Sequence, residues 1–498
     1  MPIPLLPNDA YDDALLAHVK PPGWVNPTPA PMYNLVAIGA GAAGLVSAGG
    51  AGGLGGKAAI IERDLMGGDC LNVGCVPSKT LIAAAKTVAT IRRAAEYGIR
   101  VPSGVTVDFA AVMERVRRVR ADIAPHDSPE RFRREYGVDV FLGEARFTGP
   151  DELEVGGQKL RFRKAVIATG GRASLPDIPG LHEAGCYTNE NLFTLTTLPR
   201  RLCIIGGGPI ACELSQAFAR LGSQVTIVSH SSQLLPREEP EATRLLEIAL
   251  RFDGVDVRLN TKVARVEHNA VELSPGERQD FDAVLVAAGR TPNIEQLNLE
   301  AAGVAYDRER GVLVSDTLRT SNDRIYAAGD VCSVGWKFTH AADAMARLVL
   351  RNALFPGRGK VSSLTIPWCT FTDPEVARVG LSEPEAAERG VLVAVHRFDL
   401  GELDRAHTDG TGGFIQVLVH KGTDRIAGAT IAGPHAGELI GTLSLAMTNR
   451  IGLKGIAATV FPYPTHTEAL KRIADQFNRS RLTPFVANLS RLWLKWSR

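Results

Sequence analysis

The chain carries one construction twice: an apolar strand that runs straight into a glycine-rich turn and then a helix. In the first copy, residues 34–38 (NLVAI) lead into Gly39-Ala40-Gly41-Ala42-Ala43-Gly44, and the next strand, residues 58–62, closes on Glu62. In the second, residues 202–205 (LCII) lead into Gly206-Gly207-Gly208-Pro209-Ile210-Ala211, with a further strand at residues 225–228. Glycine at the first two positions lets backbone turn and approach a pyrophosphate, and a small third residue lets helix lie on strand. An acid after the second strand accepts from ribose hydroxyls. Two such units in one chain imply two nucleotides, most simply a flavin dinucleotide and a nicotinamide dinucleotide.

The expected fold class is therefore α/β, with two Rossmann-like dinucleotide-binding domains and, from about residue 365, a C-terminal α+β domain. There the glycine turns stop and alternating strands such as FIQVLVH (414–420) and IAGATIAG (426–433) begin. The expected organisation is an extended proline-rich arm at 1–30, a FAD-binding domain at 31–190, and a nicotinamide-binding domain at 191–290. The FAD-binding part resumes at 291–360, a dimerisation domain spans 361–480, and a basic amphipathic tail spans 481–498. A length of 498 residues suits about three domains. Lys and Arg number 56 against 54 Asp and Glu, so no global field draws the chain to nucleic acid or membrane. RVRRVRAD at 115–122 has Val112, Val116, Val119 and Ile123 at helical spacing, which places its arginines on a solvated face. The glycines of the first helix, Gly49, Gly50, Gly52 and Gly53, are expected to allow close packing on the sheet.

Chemistry points to Cys70 and Cys75 in GGDCLNVGCVPSK. The spacing is too wide for a zinc knuckle and no second ligand pair stands nearby, whereas two close thiols can cycle between dithiol and disulfide. Pro77 suits a first helical turn, which places Cys75 at a helix N-terminus where a thiolate is stabilised, and Lys79 falls on the same face. The other five cysteines, Cys186, Cys203, Cys212, Cys332 and Cys369, are isolated and read as core residues.

Residues 31–480 resemble the pyridine nucleotide-disulfide oxidoreductases, through GGDCLNVGCVPSK, both glycine turns, ATG at 168–170 and AAGD at 327–330. The resemblance implies a two-fold homodimer using FAD and NADPH or NADH. It makes Cys75 the thiol against the flavin and Cys70 the exchange thiol, with Lys79 paired to Glu213 near flavin N5. Asp330 would hold the ribityl chain and Glu62 the adenosine ribose. The rest of the implied cofactor-binding set is Gly39, Gly41, Gly44, Gly68, Ala145, Thr169, Gly170, Gly206, Gly208, Ala211, Ser229 and Gly289. Electrons would pass from nicotinamide to flavin and on to the Cys70–Cys75 disulfide.

Disulfide-reducing members carry HPTxxE near the C-terminus. Here Tyr463 takes the histidine position of Tyr463-Pro464-Thr465-His466-Thr467-Glu468, and Glu468 keeps its own. With side-chain pKa values of ~6.5 for His and ~10 for Tyr, a phenol is a poor proton shuttle at neutral pH. The mercuric reductases share this Tyr, and a phenol beside two thiolates suits a soft metal ion. The expected acceptor is a small molecule, with an Hg(II) thiolate first, although the vicinal cysteine pair usual at the end of those enzymes is absent. Tyr187 is a candidate second metal-pocket tyrosine. The alternatives are a lipoamide dehydrogenase-like or quinone oxidoreductase and, from another class, a membrane-associated redox-sensing flavoprotein. After VTIV stands Ser229, with His230, Ser231 and Ser232, where an NAD-selective site would offer an acid; this favours NADPH.

Residues 20–31 (KPPGWVNPTPAP) are too proline-rich for helix or sheet. With no basic-then-apolar leader and no membrane-length apolar run, a cytoplasmic location is expected. Phe485, Leu489, Leu492, Trp493, Leu494 and Trp496 alternate with Arg491, Lys495 and Arg498, as in a basic amphipathic helix suited to the partner subunit or a membrane surface.

Overall fold

A computed structural model describes residues 3–498. The chain forms two compact units: residues through His230 with Gly254–Leu364, and Ser231–Asp253 with Thr365–Arg498.

The first unit runs helix α1 (Ala10–Val19), strand β1 (Tyr33–Ile38), helix α2 (Ala42–Gly53), strand β2 (Ala58–Glu62), then helices α3 (Gly68–Asn72), α4 (Cys75–Arg93), α5 (Phe109–Ile123) and α6 (Pro129–Tyr136). Strands β3 (Asp139–Leu142), β4 (Ala145–Gly149), β5 (Glu152–Val155) and β6 (Gln158–Ile167) follow. They lie in the order β3-β2-β1-β6-β5-β4, with Ile325–Ala327 added beside β6. The pairs among β3, β2, β1, β6 and Ile325–Ala327 are parallel, whereas β4, β5 and the start of β6 form an antiparallel meander. Parallel strands are covered on both faces, which is why NLVAI is a continuous apolar run rather than an alternating one. A second parallel sheet follows the order Asp256–Arg258, Gln224–Val228, Arg201–Ile205, Ala283–Val286. The expected α/β class and both nucleotide-type sheets are present.

Three expectations need correction in this unit. Residues 1–30 are not simply an extended arm: the Asp9 side chain caps α1, whose Leu15 and Val19 are fully buried. Residues 20–31 form neither helix nor strand: after a turn at Pro21–Trp24 they cover the open edge of β3, where Trp24 Nε1 donates to the Val140 carbonyl and Asn26 pairs with both the N–H and the carbonyl of Leu142. Second, Arg117 and Arg120 of α5 are buried rather than solvated, because α1 lies over that face and presents Asp9 and Asp12 to them at 2.6 and 3.1 Å. Third, the glycines of α2 serve helix packing, not helix-on-sheet packing. A Cβ on Gly50 would fall 2.4 Å from Leu350, and one on Gly52 would fall 2.3 Å from the Tyr136 carbonyl oxygen.

The second unit holds an antiparallel sheet in the order Pro367–Thr370, Glu375–Gly380, Ile426–Gly433, Phe414–His420, Val393–Asp399. Helix Ala436–Thr448 packs on it, as does Glu468–Ser480, which buries Leu470, Ile473 and Phe477. The helix Pro240–Phe252, expected within a nicotinamide domain at 191–290, belongs to this unit instead. Buried Arg378 is the reason. It pairs with Glu238 at 3.1 Å and Glu385 at 2.7 Å, while Trp368 Nε1 donates to Glu238 at 2.7 Å.

Candidate redox site

The site is assembled where β1 ends. Gly39 has φ +101° and its Cβ would fall 2.4 Å from the Ala168 carbonyl oxygen, while a Cβ on Gly44 would fall 1.7 Å from that of Gly39. Both are glycine because the chain's own backbone fills the space. Gly41 differs: a Cβ there would meet only the Cα of Gly68, at 3.8 Å, and on Gly208 of the second turn it would meet nothing within 4 Å. Glycine at Gly41 and Gly208 is therefore not required by packing, and each heads a helix whose first N–H groups face that space. Residues of this kind fit the pyrophosphate of a bound dinucleotide. In the second turn Gly206 has φ +134° and a Cβ there would fall 2.3 Å from the Ala287 oxygen, while Ala211 is fully buried.

Glu62 is half-buried and ties down the first turn, its carboxylate accepting from the N–H of Ala40 at 2.7 Å and of Asp64 at 2.8 Å. Burial raises its pKa. Each oxygen keeps lone pairs for a sugar hydroxyl. The loop after β2 closes on the same turn: Gly67 N–H donates to the Ala40 carbonyl at 2.9 Å, and Gly68, at φ +57°, lies so close to Gly41 that a Cβ would stand 2.7 Å from its Cα.

That loop carries the two thiols, both free. Cys70 sits in α3 and Cys75 is the first residue of α4. Gly74 between the helices has no room for a Cβ, which would fall 2.7 Å from the Asp69 oxygen. A hydrogen bond from Cys70 pulls the Cys75 pKa down to about 6 against the effect of burial, helped by the Thr339 hydroxyl 3.3 Å away and then by Lys79. The same Cys75 contact, with burial, pushes Cys70 strongly up. The contact favours thiolate on Cys75 and thiol on Cys70. Lys79 Nζ makes a 2.7 Å ion pair with Glu213, whose side chain is 6% exposed on helix Pro209–Leu221.

Asp330 meets the guanidinium of Arg290 at 3.0 Å, and Arg290 also holds Asp69 and the Gly171 carbonyl. Burial raises the pKa of Asp330. Thr169 Oγ1 donates to the Asn293 carbonyl at 2.6 Å and Gly170 accepts from Asn293 N–H, so the ATG turn is stapled to the strand after Gly289. Gly289 has φ +135°. Ser229 is buried, its N–H on the Arg258 carbonyl and its own carbonyl on Thr261. Ala145 opens β4 opposite Val155, and Tyr187 bridges to Leu285 at the rim of the second sheet.

Tyr463 and Glu468 lie in the second unit. The Tyr463 ring is exposed, and its hydroxyl hydrogen-bonds Asp404, which raises its pKa. Glu468 accepts from Arg472 at 2.9 Å. His466 is buried, 3.3 Å from Asp409, and burial lowers its pKa.

The sequence reading gave no role to Thr339, Arg290 or Asp69, and it placed Arg120 on a solvated face. Arg290 ends VLVAAGR and Thr339 opens a helix soon after AAGD, so both stood near recognised phrases without a spacing of their own. Arg120 Nη1 donates to the Asn72 carbonyl at 3.0 Å, inside the loop between the two thiols.

Residues 33–346 match the pyridine nucleotide-disulphide oxidoreductase family, and residues 366–474 match its dimerisation domain. The chain is 34% identical over 455 residues to a mercuric reductase of Staphylococcus aureus, covering 90% of this chain and 83% of that one. It is also 34% identical over 446 residues to a dihydrolipoyl dehydrogenase of Chlamydia muridarum, covering 88% and 95%. Among solved structures it is similar to the HOCl-induced flavoprotein disulfide reductase RclA from Escherichia coli, at TM-score 0.79 and 30% identity over 89% of this chain and 99% of that one. A Cu(II) complex of RclA matches at TM-score 0.79 and 29% identity, over 90% of this chain and 100% of that one.

Proposed function

Because the chain belongs to the pyridine nucleotide-disulphide oxidoreductases, enzymes of FAD and NAD(P)H, we propose that it oxidises NADPH and reduces a soft metal ion through Cys70 and Cys75. The observation that carries this reading is the placement of the two free thiols, Cys70 in α3 and Cys75 at the head of α4, with the Thr339 hydroxyl 3.3 Å from Cys75 and Lys79 of the same helix in an ion pair with Glu213. A bound flavin supplies hydride acceptance from the nicotinamide and two-electron delivery to sulfur.

The chain's own residues do the rest. A pair of electrons breaks the Cys70–Cys75 S–S bond, leaving thiolate on Cys75 and, after uptake of one proton, thiol on Cys70. Hg(II) displaces the Cys70 proton and is held between the two sulfurs. A second NADPH supplies the pair that converts Hg(II) to Hg(0) and returns the sulfurs to thiolate and thiol. Each later turnover consumes one NADPH and one Hg(II) and releases NADP+, a proton and Hg(0). The proton that Cys70 gives up to a departing thiolate ligand of Hg(II) is restored by NADPH, so the cycle calls on no histidine shuttle at the Tyr463 position.

Residues 31–190 with 291–360 would carry FAD, and the Gly206 turn with Ser229 would carry NADPH, since a buried serine tolerates a 2′-phosphate that a carboxylate would repel. Residues 366–474 would form the homodimer interface. The mercuric reductases and the Cu(II)-bound RclA both support a metal acceptor. The likeness to a dihydrolipoyl dehydrogenase supports a disulfide acceptor as the second reading, and Tyr463 weighs against it. The test is anaerobic NADPH oxidation with Hg(II) and excess thiol, beside Cys75→Ala. Metal-dependent turnover lost in the variant supports the proposal. Reduction of the thiol pair by NADPH without metal turnover overturns it.

A further inference from the structure

Helix Pro484–Trp496 is 13 residues long and none of its residues is buried. It lies beyond the residues matched by the dimerisation domain. It is nonetheless a well-specified helix, because Thr483 caps it by accepting from Val486 N–H and Pro484 takes the first position. At 100° per residue, Phe485, Leu489, Leu492 and Trp496 fall on one face, flanked by Val486 and Trp493, whose ring stands 5.5 Å from that of Trp496. Arg491 falls on the opposite side with Leu494, Lys495 stands at the border of the apolar face, and Arg498 follows the helix. Residues 481–498 contain four basic side chains and no acidic one.

We infer that this helix docks on an anionic lipid surface, lying in the interface with its Phe, Leu and Trp side chains in the acyl boundary. Three observations favour lipid over a second copy of the same helix. The side chains on the apolar face, with Trp493 at its flank, are between 58% and 80% exposed, more than an isolated surface residue would explain. The pair of tryptophans suits the headgroup boundary, where an amphipathic ring is at home. Residues 481–498 of a second copy would offer four more cations and no acidic side chain as counter-charge, whereas anionic headgroups complement them. The helix is about 20 Å long and lies on the bilayer rather than through it. No helix among the described residues is long and apolar enough to cross a membrane.

The test uses the full-length, FAD-loaded protein sedimented with vesicles of phosphatidylglycerol and phosphatidylcholine or of phosphatidylcholine alone. Binding to the anionic vesicles is expected, weakened by salt. Trp493→Ala with Trp496→Ala, and separately Arg491→Glu with Lys495→Glu, should each lower it roughly tenfold or more with melting unchanged. Absence of binding to anionic vesicles, or binding that neither variant weakens, overturns the inference. So does loss of the dimer in the tryptophan variant by light scattering, which would make the second subunit the occupant.

Discussion

Arg120 Nη2 lies 3.1 Å from Asp12 Oδ1, and the two side chains are 4% and 0% exposed. The same guanidinium reaches the Asn72 carbonyl in the loop that carries both thiols. Helix α1 is bound to that loop elsewhere too: Met66 N–H donates to the Val19 carbonyl at 3.2 Å, and Lys20 and Ile3 N–H both meet Asp64. The segment before β1 is thus a brace for the redox loop.

Asp12→Ala leaves Arg120 buried and uncompensated. A loss of about 3–5 kcal/mol is expected, read as a lower denaturant midpoint at unchanged slope.

The thiol pair sets a pH dependence. The folded Cys75 pKa of about 6 lies below its ordinary 9.0, so the reduced protein binds fewer protons than its unfolded chain between those values. Stability of the reduced form should rise with pH from about 6 to 9 and be lost as pH falls through the lower value. Cys75→Ser should abolish the slope, as measured by urea melts at several pH values.

Alkylation of Cys75 should show a midpoint near pH 6. Cys70→Ala removes the largest cause of the shift and should move that midpoint up further than Lys79→Met, because Lys79 ranks after both Cys70 and Thr339. Equal displacement in the two variants would contradict this order.

Gly68→Ala puts a Cβ 2.7 Å from the Gly41 Cα at a positive φ. A cost of about 1–3 kcal/mol is expected, with FAD content of the purified protein lower than wild type by absorbance.

The hydrogen bond to Asp404 raises the pKa of Tyr463. Tyr463→His should raise turnover with a dithiol–disulfide substrate by roughly tenfold or more, measured beside metal-dependent NADPH oxidation, which should not gain.

Much of the first unit was legible because its signals are local. NLVAI and the glycine turn must be strand, turn and helix whatever surrounds them, and Gly39 and Gly44 are fixed by neighbouring backbone. The CxxxxC spacing with Pro77 likewise placed Cys75 at a helix start. What was not legible depends on segments far apart in sequence. Arg117 and Arg120 read as solvated because their partners, Asp9 and Asp12, sit about a hundred residues earlier in a stretch dominated by proline. The α2 glycines face Leu350 and Tyr136, which no periodicity links to them. Helix Pro240–Phe252 follows the buried Arg378–Glu238 pair, a tie that a nucleotide-fold pattern does not contain.

The central claim is that NADPH delivers its electrons to Cys70 and Cys75, and cysteine labelling in the absence of oxygen tests it most directly. The air-oxidised, FAD-loaded protein is alkylated after denaturation, with and without prior NADPH, and each cysteine is read by mass spectrometry. The account predicts that Cys70 and Cys75 label only after NADPH, and that the other five label in both samples. Labelling of Cys70 and Cys75 without NADPH, or their failure to label with it, would contradict the account.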